Sequence, residues 1–157
     1  MVIDIHRYMF VFSKDKKPKT ANLICDKANK WAGHTNWGKG TYRDKDGNLV
    51  ERKQKPTPEF SPRNNIWRYN NGKGFTTRDD YAYQHPAMFP EALARDHIKS
   101  WSNEGDIVID PFTGAGTTPA IAREEDRKFI GYEIDKKYYE IAQRRIEDRA
   151  ARLVFEE

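Results

Sequence analysis

From Gly105 onward the apolar and polar positions of this chain switch between two rhythms. Gly105-Asp-Ile-Val-Ile109 is a short apolar run opened by a turn signal, which predicts a buried strand. Pro119-Ala-Ile-Ala-Arg-Glu-Glu125 predicts a helix, with Thr117 or Thr118 as N-cap and proline in the first turn. Lys128-Phe-Ile-Gly-Tyr-Glu-Ile134 predicts a second strand ending in an acid. Tyr138, Ile141, Ala142, Ile146, Ala150 and Leu153 then recur at helical spacing, with Asp135 placed to cap that helix, which is assigned packing only. Upstream, Arg7-Tyr-Met-Phe-Val-Phe12 alternates imperfectly and predicts a strand that leaves into the basic loop Ser13–Lys19. Residues 26–84 show no helical period; Asp46-Gly47-Asn48 predicts a hairpin turn between Thr41-Tyr-Arg43 and Leu49-Val-Glu-Arg-Lys53.

The order strand, glycine turn, helix, strand, acid builds a nucleoside pocket at the carboxyl end of a parallel sheet. The turn itself is Asp110-Pro-Phe-Thr-Gly-Ala-Gly-Thr-Thr118. Gly114 and Gly116 let the backbone turn tightly and approach a ligand. Amides at the helix start favour a negatively charged group. Glu133 lies 19 residues after Gly114 (133 − 114), close to the spacing at which an acid accepts ribose hydroxyls. Pro119 holds the place of the third glycine of a dinucleotide fingerprint, and no lysine follows Gly116 as in a phosphate-binding loop. A plain helix-start turn in any α/β sheet is the competing reading of these residues, and a nicotinamide-type site is a third.

Composition narrows the class. A length of 157 residues suits one domain, and a mean hydropathy of −0.97 with 37% hydrophobic residues leaves a lean core. No apolar run is long enough to cross a bilayer, and residues 1–12 lack a cleavage-site pattern. Cys25 is the lone cysteine, so no intrachain disulfide forms and a reducing cytoplasmic setting is expected; Cys25 with His34 supplies too few ligands for a metal. The net charge of +4 is unevenly placed. Lys and Arg outnumber Asp and Glu five to two in residues 1–25 and twelve to seven in residues 26–84, but residues 85–157 carry eleven against fifteen. A basic lobe beside an acidic one is the footprint expected for binding a phosphate backbone.

The residues also resemble a known family. "DPFTGAGTT" followed by "FIGYEID" resembles the S-adenosylmethionine-binding half of the site-specific DNA amino-methyltransferases (adenine-N6 or cytosine-N4) of permuted, beta-type order. His85-Pro-Ala-Met-Phe-Pro90, Arg63-Asn-Asn-Ile-Trp67 and Tyr8-Met-Phe-Val-Phe-Ser-Lys14 resemble three further segments of those enzymes, in the expected order. The resemblance implies an α/β fold: a partial Rossmann-like methyltransferase sheet with a loop-rich basic insertion. It implies S-adenosylmethionine as cofactor, with Asp110, Phe112, Gly114, Gly116 and Thr117 around its methionine part, Glu133 on the ribose, and His85, Pro86 and Phe89 closing the pocket. Phe89 on a helical face with Leu93 and Trp101 is equally read as core, and His85 before a proline as a turn residue.

Three parts are expected: a late strand and basic loop (1–25), a target-recognition region (26–84) and a cofactor-binding subdomain (85–157). In the middle part Lys27, Lys30, Lys39, Arg43, Arg52, Lys53, Lys55 and Arg63 are candidates for DNA phosphates, and Trp31, Trp37 and Tyr42 for base stacking. For each residue alone, a solvated loop or a small satellite core is the simpler reading. The family's catalytic motif, Asp/Asn/Ser-Pro-Pro-Tyr/Phe/Trp, is absent; Lys55-Pro-Thr-Pro58 does not fit it, and Asp110-Pro-Phe112 belongs to the glycine turn. No catalytic residue is therefore assigned. That loop orients a weakly nucleophilic amine toward the methyl group and stacks on a flipped base. The expectation is a C-terminal portion of a methyltransferase acting on double-stranded DNA, inactive without a complementing N-terminal segment. The alternative is a non-catalytic module or remnant that binds DNA and S-adenosylmethionine.

Overall fold

The computed structural model describes residues 8–36, 38 and 40–155, with side chains to residue 151. The chain divides into two compact units, residues 1–22 with 69–157 and residues 23–68. Residues 69–84 thus pack with the glycine-turn unit rather than with the basic insertion.

In the smaller unit, β1 (Cys25–Ala28) pairs antiparallel with β4 (Phe60–Pro62), and β2 (Thr41–Arg43) with β3 (Leu49–Glu51). The second pair is the expected hairpin. Asp44 Oδ1 accepts from the amides of Asp46 and Asn48, each at 2.9 Å, and Gly47 takes the left-handed conformation (φ 84°) that the turn requires. No described residue of this unit is fully buried. Among the described residues, short strands, backbone bonds that cross between distant loops, as from Gly33 N–H to the Thr57 carbonyl, and the Arg63–Asp26 ion pair hold its shape rather than a core.

The larger unit follows the apolar rhythm of the sequence. β5 (Ile107–Asp110) and β6 (Lys128–Gly131) are parallel neighbours, in register from Ile107 opposite Lys128 to Asp110 opposite Gly131. Between them runs α2 (Thr117–Glu124), against which α1 (Glu91–Trp101) and α3 (Lys136–Phe155) pack. One core cluster joins Ala94 and Ile98 of α1 to Ile121 and Ala122 of α2, with Val108 and Phe129 from the strands packed against it. A second joins Ala82, Ala115 and Ile141. Among the described residues, only one face of the strand pair is covered. Val108 and Phe129 point into the core, whereas Ile107 and Ile109 are 59% and 63% exposed. A parallel pair is normally buried on both faces.

Three expectations differ from the structure. Residues 8–12 form no strand, and Tyr8, Phe10 and Phe12 are exposed; among the described residues no neighbour offers them a ladder. Arg7 lies outside the described residues. The chain is tied down later, where Asn22 donates through its amide and side chain to Ser100, Lys99 and Ser102 carbonyls at the end of α1. The N-cap of α2 is Gly116, in the left-handed conformation (φ 79°), because Thr117 already has helical geometry. Third, α3 does more than pack an apolar stripe: Arg145 and Arg149 are buried within its inner face.

Candidate functional site

The two parallel strands end side by side, and their register decides what meets at the edge. Tyr132 N–H donates to the Asp110 carbonyl (3.0 Å), and Thr113 N–H donates to the Tyr132 carbonyl (2.9 Å). These bonds extend the pairing one step beyond each strand and bring Glu133 level with the glycine turn. Its carboxylate then bridges two backbones: Gly114 N–H donates to Oε2 (2.8 Å) and Asp135 N–H to Oε1 (2.9 Å). The amides of Asp135, then Gly114 and Ile134, hold the Glu133 carboxyl below its ordinary value, against partial desolvation and the charge of Asp135. Each oxygen keeps a second lone pair, so a charged bidentate acceptor remains, suited to two neighbouring hydroxyls. Asp135 itself caps α3, accepting from Lys137 N–H (2.8 Å) and Tyr138 N–H (3.2 Å) as its place in the sequence predicts.

The turn is shaped by two glycines with different partners. A Cβ on Gly114 (φ 54°) would lie 3.0 Å from His85 Nε2. A Cβ on Gly116 would lie 2.8 Å from Ala142 Cα. Gly114 therefore admits a ring to the turn, while Gly116 admits α3. His85 reaches the site from the stretch after a short 3-10 turn (Asp80–Gln84), and its ring meets Tyr138 edge-on at 4.4 Å between centroids. Its Nδ1 accepts from Ala87 N–H (3.2 Å), and Nε2 is the nitrogen that faces Gly114.

Asp110 Oδ1 accepts from Phe112 N–H (3.0 Å), which fixes the first corner of the turn. Phe112 projects from it and is 88% exposed. Pro86 is exposed at the head of the preceding loop. Thr117 is different: it is buried, and its Oγ1 accepts from Arg145 (3.0 Å), so its hydroxyl faces the protein interior. Phe89 lies outside α1 and lines an apolar cavity of about 560 Å3 with Leu93, His97, Trp101 and Ile107. Burial holds the His97 imidazole below its ordinary value, opposed by the charge of Asp96. The structure thus gathers His85, Asp110, Phe112, Gly114 and Glu133 around one turn, gives Gly116 and Thr117 to its inner side, and sets Phe89 in the adjoining cavity.

Beneath this turn lies an ion cluster that reading the sequence missed. Arg145 is fully buried and donates to Asp79 Oδ2 (2.9 Å), the Ala115 carbonyl (3.1 Å), Thr117 Oγ1 (3.0 Å), Thr77 Oγ1 (2.9 Å) and Glu91. Arg149 shares Asp79 (2.8 Å) and Glu91 and adds Glu124. Burial pushes the Asp79 carboxyl up, but the Arg149 and Arg145 guanidinium groups outweigh it and hold the carboxyl below its ordinary value. No buried side-chain nitrogen or oxygen among the described residues lacks a partner. The readable signal was the spacing: Arg145 and Arg149 are one turn apart and adjoin Ile141, Ala142 and Ile146 on the apolar stripe.

In the smaller unit the candidate DNA contacts separate by environment. Arg52, Lys53 and Lys55 are exposed after β3. Lys30 is exposed and sits 5.7 Å from the centre of the Trp31 ring, itself 58% exposed. Lys27 contacts Asn64 Oδ1 (3.4 Å) and Arg43 donates to the Gly47 carbonyl (2.7 Å). Arg63 is engaged by Asp26 (2.7 Å) and stacks 5.2 Å from Trp67. The Arg63 hydrogen bond holds the Asp26 carboxyl below its ordinary value. Trp37 and Lys39 lie outside the described residues. Neither a metal-binding cluster nor a helix long and apolar enough to cross a membrane occurs among the described residues.

Comparison with known proteins adds a family context. The family model described as DNA methylase matches residues 2–144. The orphan methyltransferase M.BamHII of Bacillus amyloliquefaciens is 54% identical over 145 residues, covering 92% of this chain and 54% of that protein. The DNA adenine methyltransferase YhdJ of Escherichia coli is 40% identical over 102 residues, covering 63% of this chain and 34% of that protein. Among solved structures, the complex of M1.HpyAVI with SAM aligns at 30% identity and a TM-score of 0.42, over 54% of this chain and 46% of that one. The chain spans about half or less of the length of these relatives.

Proposed function

The chain belongs to the DNA methylase family, and we propose that its glycine turn holds S-adenosylmethionine for methyl transfer to an exocyclic amine of adenine, or of cytosine, in double-stranded DNA. The observation that carries this reading is Glu133, a charged carboxylate fixed by the Gly114 and Asp135 amides at the carboxyl end of a parallel strand pair. That acceptor fits the two ribose hydroxyls. His85 and the exposed ring of Phe112 flank the same turn and fit as walls for the rest of the cofactor. The bound cofactor supplies an electrophilic methyl group on a sulfonium. This chain's residues bind and orient it: Glu133 by charge, Gly114 by close approach, and the buried inner face of the turn by excluding water.

DNA would be held by the smaller unit. Residues 23–68 carry ten Lys and Arg against five Asp and Glu. Arg52, Lys53, Lys55 and Lys30 are exposed there, and the exposed rings of Trp31 and Tyr42 are candidates for base stacking. Arg63 acts instead as a structural partner of Asp26.

The chemistry needs acceptors that orient the target amine, and the sequence carries no Asp-Pro-Pro-Tyr-like loop to supply them. The face of β5 that no described residue covers, and the adjoining cavity that Tyr8 and Met9 also line, fit a complementing segment that brings this loop: Ile107, Ile109, Leu93 and Trp101 present apolar surface that another sheet strand would bury. The deciding experiment supplies an N-terminal methyltransferase segment bearing that loop and follows labelled methyl groups. Transfer to DNA only when both parts are present supports the reading. S-adenosylmethionine failing to bind this chain, alone or complemented, would refute it. The absent loop also motivates a second reading, a non-catalytic module that binds DNA and cofactor. Steeply salt-dependent DNA binding with no transfer under any complementation would favour that one.

A further inference from the structure

We propose that Arg145 is the positioning residue of the glycine turn, setting its shape from beneath through the Ala115 carbonyl and the Thr117 hydroxyl. The inference rests on reading that turn as the cofactor site.

Ala115 lies between the two glycines of the turn, where the backbone has the most freedom. Its carbonyl is turned inward and accepts from Arg145 Nη1, the nitrogen that also serves Thr117 Oγ1. A guanidinium is planar and presents its donors in a rigid fork. Holding both acceptors therefore fixes the Ala115–Gly116 peptide plane relative to the Thr117 side chain. The remaining Arg145 donors run to Asp79, Thr77 and Glu91, so five distinct partners consume the whole group. Thr77 and Asp79 belong to the segment that leads to His85, and Glu91 opens α1. One buried side chain thus ties the turn, the approach to His85 and the start of α1 into a single rigid piece. It also assigns the Thr117 hydroxyl to the interior.

Arg149 provides the internal control. It shares Asp79 and Glu91 with Arg145, and it is nearly as buried, but its bonds run to Asp79, Glu91 and Glu124 and none reaches the turn. A merely structural role would make the two arginines equivalent. The positioning role would not.

The test compares Arg145→Lys with Arg149→Lys in the full chain. Both should lower the thermal midpoint. Arg145→Lys alone should move the amide resonances of Gly114 and Gly116 and weaken S-adenosylmethionine binding, measured by calorimetry, roughly tenfold. Equal changes from both variants, or none from either, would overturn the proposal. If the unsubstituted chain binds no S-adenosylmethionine, the cofactor reading fails, and the glycine resonances still decide the role of Arg145. If Arg145→Lys does not fold, Thr117→Val and Thr117→Ser decide it. Valine removes the acceptor and should shift the glycine resonances; serine keeps it and should leave them in place. An unchanged spectrum for valine overturns the proposal.

Discussion

The main-chain amide of Gly114 donates to Glu133 Oε2 over 2.8 Å, joining the turn after β5 to the loop after β6. The carboxylate is thereby aimed before any ligand arrives, which lowers the ordering cost of binding.

Replacing Glu133 with Gln should consequently weaken S-adenosylmethionine binding by roughly ten- to a hundredfold, because hydrogen bonds to a charged acceptor become bonds to a neutral one. Calorimetric titration of the chain with the cofactor measures this. Unchanged affinity in the Glu133→Gln variant would place the ribose elsewhere.

The same group sets a pH dependence. Its carboxyl is held below the ordinary glutamate value of about 4.3 by the Asp135 and Gly114 amides. A lowered value means that the folded site favours the ionised form, and that this form is lost only as pH falls through the lowered value. The Glu133 contribution to affinity should stay flat from about pH 8 to pH 5 and decline only below the ordinary carboxylate range. Titrations at stepped pH would contradict this if affinity fell already near neutrality in the parent chain but not in Glu133→Gln.

Gly116→Ala should be far more costly than Gly105→Ala. Both glycines have positive φ, 79° and 82°. An added methyl at Gly105 meets nothing within 4 Å, whereas at Gly116 it meets the Ala142 backbone at 2.8 Å. The first change should cost about 1–2 kcal/mol for the left-handed conformation alone. The second adds overpacking of about 1–3 kcal/mol. Urea unfolding of the two variants gives the comparison.

Asp79→Asn should destabilise the larger unit by about 3–5 kcal/mol, since it leaves Arg145 and Arg149 buried with part of their counter-charge removed. The arginines hold the Asp79 carboxyl below its ordinary value against the effect of burial. Its contribution is therefore complete above the unfolded value of about 3.9 and is lost as pH falls through the lowered folded value. The parent chain should lose stability on acidification in that range, and Asp79→Asn should flatten the acid limb of the stability curve.

For DNA, replacing Arg52, Lys53 and Lys55 together with Ala should weaken binding to any duplex and reduce the salt dependence. The slope of log affinity against log salt should fall by about three, close to one for each phosphate contact removed. Fluorescence anisotropy over a salt series reads it directly. An unchanged slope would move the DNA surface away from β3.

What the sequence determined by itself was local. The strand, turn, helix and strand from Ile107 to Gly131 follow from apolar period, glycine and proline within a few residues of one another, and so do the Asp46-Gly47 hairpin and the Asp135 cap. Glu133 was legible because chain spacing alone delivers it to the end of a neighbouring parallel strand. What only tertiary structure decided depends on residues far apart in the chain. Gly116 serves the close approach of Ala142, Gly114 that of His85, and the Thr117 hydroxyl turns inward to Arg145. Spacing sets Arg145 and Arg149 beside the apolar stripe of α3 but does not bury them, because a guanidinium is costly to bury unless its partners are already in place. Those partners, Thr77, Asp79 and Glu91, come from a segment more than fifty residues earlier. The aromatic run at 8–12 fails as a strand for the complementary reason: alternation supplies a strand's side chains, but its hydrogen bonds must come from a neighbour.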